Sequence, residues 1–239
     1  MARHLLLDAN KYFPLIEKFV DDLGEAHSQS FDSISANEEV ASFWMISSPI
    51  PQSAVTLVDG MAKLIGACDL VVRQVTGATS MLIGFSVASR ALSPVIRAIN
   101  AEPRRLVIIG GSFLASHAIA SAVELGMGNI VVVSPPVGGP GTAVAAAHSM
   151  SADVTSVVPR KFHPDPGDLV IDTDLEIFAQ VYGGASQPDY VVRTYLSAQP
   201  HLTYRMFLAR YLRELIVVAT GRDVPIVDLQ LAVDNFFGV

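Results

Sequence analysis

Two adjacent glycines, Gly110 and Gly111, lie between an apolar segment and an alanine-rich one, a pattern that could bind phosphate. The surrounding sequence, residues 104–136, is RRLVIIGGSFLASHAIASAVELGMGNIVVVSPP. It predicts a strand, a tight turn, a helix and a second parallel strand, which together form a βαβ unit. In such units the N–H groups and the dipole of the helix N-terminus face an anion, so nucleotide phosphates often bind there.

The turn departs from the usual dinucleotide-binding pattern, in which three glycines are spaced G-x-G-x-x-G. The two glycines are followed by Ser112, which adds a side chain where backbone must approach a pyrophosphate. The next residue, Phe113, is expected to place an aromatic ring at the mouth of the helix. The second strand is followed by Ser134 and two prolines, with neither an acid for a ribose hydroxyl nor an arginine for a 2'-phosphate. We therefore expect dinucleotide binding to be weak or unusual, and the alternative is that Phe113 closes a nonfunctional cleft.

Composition excludes several classes of partner. The 239 residues are 51% hydrophobic and 16% charged, and the net charge of -7 with no basic cluster argues against nucleic acid. The apolar runs are far shorter than a bilayer span, and Asp8 and Lys11 interrupt the N-terminal segment, so we expect a cytoplasmic protein without membrane contact. A single cysteine, Cys68, excludes an intrachain disulfide. The high apolar fraction favours a homodimer, formed through the first or the final helix.

Apolar spacing and turn residues predict the other elements of an α/β protein. Strands are predicted at 43–47, 68–73, 81–85, 154–158, 168–172 and 190–196, and helices at 11–23, 54–65, 86–99, 142–150, 203–219 and 227–237. The strands at 68–73 and 81–85 form a hairpin around Gly77, and residues 24–39 are predicted to be loop or a weak helix.

Five strings in the chain, together with the βαβ unit, form a further pattern. They are SSPIPQSAV (Ser47–Val55), KLIGACDLVVR (Lys63–Arg73), LIGFSVAS (Leu82–Ser89), GDLVIDT (Gly167–Thr173) and ATGRDVP (Ala219–Pro225). In this order they resemble the shikimate/quinate dehydrogenase family, from about residue 43 onward. The resemblance implies a two-lobe α/β fold, with a smaller N-terminal α/β substrate lobe of residues 1–90 completed by helices in 203–239. It also implies a Rossmann-type parallel sheet in residues 91–202 that binds NADP or NAD.

The chain departs from the family at the residues that carry the chemistry. The family's lysine follows the proline of a strand-to-helix turn, where this chain has Gln52 and Ser53, and the family's aspartate lies near Ser86, where this chain has no acid. Hydride transfer to or from an alcohol needs a group that exchanges a proton near working pH, and these residues do not titrate there. Where the family offers asparagine and glutamine to the substrate, this chain has Asp69 and Tyr211. The catalytic residues are therefore unknown, and we do not expect shikimate as the ligand.

Two hypotheses of different class follow. The first is an oxidoreductase acting on another small hydroxy or oxo compound with a nicotinamide cofactor. The substrate-binding candidates are then Ser47, Ser53, Asp69, Ser86 and Tyr211, and the cofactor-binding candidates are Gly110, Gly111, Ser112, Phe113 and Ser134. The second hypothesis is a non-redox descendant of the fold that binds a ligand or serves as an assembly subunit.

Other polar residues have a structural interpretation beside the functional one. Lys63 is expected to be solvated, although it could replace the missing base, and Arg90 could bind an anion or lie on the surface. His117 lies one turn into the helix of the βαβ unit and could approach a phosphate or simply pack. Asp172 and Asp174 flank a strand end, where their carboxylates could act in chemistry or cap the next helix. The histidines lack metal-ligand spacing, so we predict no metal site.

Overall fold

The computed structural model describes residues 3–8, 10–26, 29–46, 48–99, 105–184, 187–195 and 200–239. The chain forms two compact units, one of residues Met1–Val87 with Ala209–Val239 and the other of residues Ala88–Leu208. The boundaries thus fall at residues 87 and 209, whereas the sequence-based division used 90 and 203.

Strands and helices are numbered in chain order. The strands are β1 Arg3–Leu6, β2 Leu23–Glu25, β3 Val40–Trp44, β4 Ile50–Pro51, β5 Leu57–Val58, β6 Ala67–Cys68, β7 Leu70–Thr76, β8 Thr79–Phe85, β9 Arg105–Ile109, β10 Ile130–Val133, β11 Val154–Val157, β12 Asp168–Asp172 and β13 Tyr190–Arg193. The helices are α1 Phe13–Ile16, α2 Phe31–Ile34, α3 Gly60–Ile65, α4 Ala88–Ile99, α5 Phe113–Glu124, α6 Ala143–Ser149, α7 Leu175–Tyr182, α8 Leu202–Thr220 and α9 Ile226–Phe237. None of the helices in the described part of the chain is long and apolar enough to cross a membrane.

The first unit contains a mixed six-stranded sheet in the order β2-β1-β3-β7-β8-β5. The hairpin predicted around Gly77 is confirmed, because β7 and β8 pair antiparallel from Leu70 opposite Phe85 to Thr76 opposite Thr79. Gly77 has φ +63, a conformation that glycine adopts at little cost. A small core packs on this sheet around Phe31 and Phe43, whose rings meet edge to face at 5.2 Å.

Two predicted helices of the first unit are wrong in extent. Instead of one helix over 11–23, the chain forms a short turn of 3-10 helix and α1, and then β2 begins at Leu23. Asp22 has φ 55, which a helix cannot contain, and the residues after it pair with β1. Instead of one helix over 54–65, only α3 is helical, because β5 pairs with β8 and the Asp59 carboxylate caps the helix at the Ala62 N–H.

The second unit is a five-stranded parallel sheet in the order β11-β10-β9-β12-β13. The predicted βαβ unit is confirmed, since β9 and β10 are parallel and α5 connects them. The chain moves outward from β9 through β10 to β11 and then crosses to β12 on the other side of β9. The strand order therefore reverses between β9 and β12, and in open α/β sheets ligands bind beyond the carboxyl ends of the strands at such a switch point.

Candidate functional site

The turn after β9 depends on Gly110. Its φ is +112, and a Cβ at this position would overlap the Thr173 hydroxyl oxygen. The Thr173 hydroxyl donates to the carbonyl oxygen of Ile109 at 2.7 Å, which holds the end of β12 against the turn. A residue with a side chain would be strained here and would push the two strand ends apart.

The N-terminus of α5 is open to an anion. Ser112 is its N-cap residue and is exposed, and its side chain makes no capping hydrogen bond. Neither the Ser112 N–H nor the Phe113 N–H donates to any of the described residues. Two positions of the usual G-x-G-x-x-G spacing keep a small residue. Gly110 occupies the first glycine position, and Ala115, which is fully buried, occupies the third. The middle glycine is replaced by Ser112, and the third by the small residue Ala115.

A cavity of about 550 Å³ lies beside Gly111, at the carboxyl ends of β10 and β11. A Cβ on Gly111 would lie 2.6 Å from Cγ2 of Val137 and 3.0 Å from the hydroxyl oxygen of Ser134, so both lining residues reach the glycine turn. None of the lining residues is charged; they are Ser134, Pro135, Pro136, Val137, Gly138, Val144, Ser156, Val157 and Val158. The walls suit a neutral heterocycle, and the two hydroxyls suit a sugar.

Phe113 is the first residue of α5, the position where the sequence places an aromatic ring at the mouth of the helix. Its side chain is buried, and its ring packs edge to face against His117 at a centroid distance of 4.4 Å. His117 is one helical turn further along, which is why the two rings share a face. The Nδ1 of His117 lies 3.0 Å from the carbonyl oxygen of Phe113, and burial lowers the pKa of His117 to about 4. His117 therefore packs as a neutral ring rather than approaching a phosphate.

In the first unit the structure brings together three of the predicted substrate residues: Asp69, Ser86 and Tyr211 are all buried. Both carboxylate oxygens of Asp69 accept from the N–H of Val87, at 2.9 and 3.1 Å. Burial raises the pKa of Tyr211 well above its usual value, and the charge of the nearby Asp69 raises that pKa further. Asp69 is thus occupied by neighbours within its own unit.

The other two substrate candidates are not placed in this cluster. Ser47 lies outside the described residues, and Ser53 is exposed on a short 3-10 helix. Lys63 is exposed, as expected, and lines a cavity of about 360 Å³ together with Gln52. Cys68 is buried, and burial, with the nearby Asp69 and Asp59 charges, raises the pKa of its thiol to about 12. It is therefore not a reactive thiolate.

The two aspartates at the end of β12 have different roles. The Asp174 carboxylate accepts from the N–H groups of Glu176 and Ile177, so its predicted capping role is confirmed. Asp172 does not cap a helix: its side chain is fully buried and accepts a hydrogen bond from the hydroxyl of Tyr195. The Nε of Arg193 lies 3.6 Å from the same carboxylate oxygen.

Sequence reasoning missed Tyr195 and Arg193. The signal that could have found them is the parallel sheet itself, because Arg193 pairs in register with Asp172 and the ends of adjacent parallel strands meet at one edge. Within the described residues no group of histidine, cysteine and acidic side chains could hold a metal ion.

Comparisons with known proteins concern the whole fold. No protein-family model matches the chain, and no curated protein matches it in sequence. Among solved structures, it is similar to shikimate dehydrogenase of Mycobacterium tuberculosis, with a TM-score of 0.75 at 12% identity over 98% of this chain and 99% of that one. It is similar to the ligand-free 5-ketofructose reductase of Gluconobacter sp. strain CHM43, with a TM-score of 0.70 at 13% identity over 99% of each chain.

A third similar structure is quinate dehydrogenase from Corynebacterium glutamicum in complex with NAD, with a TM-score of 0.70 at 12% identity over 97% of this chain and 98% of that one. The sequence resemblance to shikimate/quinate dehydrogenases and the predicted α/β fold class are therefore confirmed in three dimensions. The chain has the fold of the shikimate/quinate dehydrogenases, and this likeness extends over nearly its whole length.

Proposed function

We propose that this chain is an oxidoreductase that uses NAD in preference to NADP and acts on a small hydroxy or oxo compound other than shikimate. The observation that carries the proposal is the uncharged cavity beside the glycine turn, at the carboxyl ends of a parallel sheet. This is where the adenosine part of a dinucleotide binds in such sheets.

The residues present fit a dinucleotide without a 2'-phosphate. The N–H groups of Ser112 and Phe113 would hold the pyrophosphate at the start of α5, and the hydroxyls of Ser134 and Ser156 would face the ribose. A 2'-phosphate would need a basic partner, and the cavity lining contains none. A bound nicotinamide ring would supply the hydride acceptor or donor for the substrate.

The similar structures support the proposal only through the fold. One of them is a quinate dehydrogenase in complex with NAD, and another is a 5-ketofructose reductase. Proteins of this fold therefore include enzymes named for hydroxy and oxo compounds other than shikimate. The substrate residues Ser47, Ser53, Asp69, Ser86 and Tyr211 remain candidates. Of these, Asp69 would repel a carboxylate ligand placed beside it.

Titration with reduced dinucleotide tests the proposal. We expect the fluorescence of NADH to change on binding, with weaker binding of NADPH. Val144→Glu adds a negative charge to the cavity wall and should weaken NADH binding about tenfold. Val123→Glu is the matched control, because this α5 valine is 40% exposed, close to the 45% of Val144, and does not line the cavity. An unchanged fluorescence at millimolar dinucleotide would overturn the proposal.

The second candidate function is the non-redox one, a ligand-binding or assembly protein. It is favoured by Asp69, because the position where the family binds substrate is here engaged with Val87 and Tyr211 inside the unit. The same NADH titration separates the two candidates, since only the redox protein needs a dinucleotide.

The proposal includes a cytoplasmic homodimer. Support for self-association comes from α9, whose Val227 and Leu231 are 68% and 61% exposed and lie one helical turn apart. Light scattering of the purified protein measures this directly, and a monomer at all concentrations would exclude it.

A further inference from the structure

A buried aspartate, Asp172, and a partly exposed tyrosine, Tyr195, lie at the switch point of the parallel sheet. Asp172 is the last residue of β12 and pairs in register with Ile109, the residue before the glycine turn. Its carboxyl group therefore lies at the carboxyl end of the sheet, next to the position where the strand order reverses. Ligands of such sheets bind beyond this edge.

The carboxyl group of Asp172 has a proton-bearing neighbour. The Tyr195 hydroxyl donates to its Oδ2, and the Asp174 N–H donates to its Oδ1 at 3.3 Å. The Arg193 Nε lies 3.6 Å from Oδ2, which is beyond hydrogen-bond distance. Asp172 is fully buried, whereas Tyr195 is partly exposed, so a ligand could reach the tyrosine and not the acid.

The other end of the same strand provides a contrast. The carboxylate of Asp168, also fully buried, accepts from the Nε and Nη2 of Arg105 at 2.6 and 2.9 Å. That is a closed bidentate ion pair of structural type. Asp172 lacks such a pairing with Arg193, and its close side-chain partner is a hydroxyl that can carry a proton.

Burial raises the pKa of Asp172 to about 7, although the bonds from Tyr195 and the Asp174 N–H and the charge of Arg193 lower it. The charge of Asp174 acts in the same direction as burial. On α7, burial raises the pKa of Tyr182, and the charges of Asp168 and Asp172 raise it further, against the charge of Arg105. The proton of Asp172 is therefore exchangeable near neutral pH, where proton transfer is most useful.

We propose that Tyr195 and Asp172 form the proton-handling pair that replaces the family's missing lysine and aspartate. The inference rests on the proposed redox function. A bound reduced nicotinamide would supply a hydride to a carbonyl substrate, and the oxygen of that substrate would then need one proton. The O–H bond of Tyr195 breaks as the substrate's new O–H bond forms, and the phenolate takes the proton of the Asp172 carboxylic acid. Solvent returns a proton to the Asp172 carboxylate, and oxidation of an alcohol follows the reverse order.

The pair can be tested without the substrate, because the oxidised nicotinamide ring carries a positive charge and the reduced ring does not. A nearby carboxylate favours the oxidised form. We expect the affinity for NAD⁺ relative to NADH to rise about fivefold as the pH increases through about 7. NADH affinity is read from its fluorescence, and NAD⁺ affinity from competition.

Three variants assign the effect. Asp172→Asn should remove the pH dependence of the affinity ratio. In the wild type the hydrogen bond from Tyr195 lowers the pKa of Asp172, so its loss in Tyr195→Phe should raise that pKa and move the midpoint of the ratio to higher pH. Asp168→Asn is the matched control: it breaks a buried ion pair on the same strand and should leave the ratio's pH dependence as in the wild type.

Each result decides between the two proposals. If the wild type binds both dinucleotides with a pH-independent ratio, the proton-handling pair is wrong and the proposed function stands. If the wild type binds neither, the proposed function and this pair are both wrong. If Asp172→Asn does not fold, Tyr195→Phe decides, and an unmoved midpoint in that variant contradicts the pair.

Discussion

The N–H of Val87 donates to both carboxylate oxygens of Asp69, at 2.9 and 3.1 Å. Asp69 is fully buried, and Val87 belongs to the same unit. These hydrogen bonds hold the short loop after β8 in place, since Val87 lies in that loop, directly before α4. An acid at this position therefore supports the fold of the first unit, whatever it contributes to ligand binding.

Replacing Asp69 should cost stability. Asp69→Ala leaves the Val87 N–H without its acceptor in a buried place, and we expect a loss of about 3 kcal/mol in the free energy of unfolding. Asp69→Asn keeps one acceptor oxygen and should lose about 1 kcal/mol. Urea unfolding of both variants measures the difference, and equal losses would mean that the carboxylate bonds are not the cause.

The two glycines of the nucleotide-binding turn should differ in their tolerance of a side chain. Gly110→Ala forces alanine to φ +112 and into the Thr173 hydroxyl, so we expect a loss of about 2 kcal/mol or more. Gly111→Ala meets the side chains of Val137, which is 47% exposed, and Ser134, but its φ is not left-handed, so the loss should be smaller, about 1 kcal/mol. Thermal unfolding of the two variants compares them directly, and a larger loss for Gly111→Ala would contradict this reasoning.

The second unit was predictable at its three inner strands, β10, β9 and β12, because they are buried on both faces and therefore form short, mostly apolar runs. The predicted strand at 168–172 has the bounds that the structure gives β12. The strands of the first unit were harder to predict. β1 contains Arg3 and His4, and it is a strand because it pairs with β2 and β3, which lie many residues further along the chain. Local pattern cannot report such pairing, and for the same reason the helix predicted over 54–65 missed β5.

The part of the candidate site that lies in the glycine turn after β9 could be predicted from the sequence. The part at the carboxyl end of the parallel sheet, where Asp172 meets Tyr195, could not. The glycine turn and Ser134 are read directly from the residues after two strands. The contact of Asp172 with Tyr195 joins residues 23 positions apart, and it arises because β12 and β13 are neighbours. The burial of Phe113 also follows from tertiary packing, which a helix-start position does not determine.

Cofactor preference should change with one residue of the cavity wall. Pro135 is exposed and lines the cavity at the end of β10, where dinucleotide-binding proteins that use a 2'-phosphate offer a basic residue. We expect Pro135→Arg to raise the affinity for NADPH relative to NADH about tenfold. Gln180→Arg adds the same charge to an exposed position of α7 outside the cavity and should leave the ratio unchanged. A rise in both variants would indicate nonspecific attraction.

Stability should depend on pH through His117. Burial lowers the pKa of this imidazole to about 4 in the folded chain, below the value of 6.5 for an exposed histidine. Between these two values the unfolded state binds more protons than the folded state, so stability falls as the pH decreases through this range. The contribution of His117 to this loss is about 3 kcal/mol by pH 4.

Asp172 acts in the opposite direction, because its pKa is raised to about 7 and its protonated form is favoured by folding. Its contribution is therefore present at low pH and lost as the pH rises through about 7. Between pH 7 and pH 4 the two contributions have opposite signs and each amounts to about 3 kcal/mol, so they nearly cancel in the wild type. In Asp172→Asn the loss through His117 is no longer offset, so stability should decline toward pH 4 more than in the wild type. In His117→Gln the Asp172 contribution is no longer opposed, so stability at pH 4 relative to pH 7 should be higher than in the wild type. Urea unfolding across this pH range measures all three proteins, and identical pH profiles would mean that neither buried group titrates differently in the folded and unfolded states.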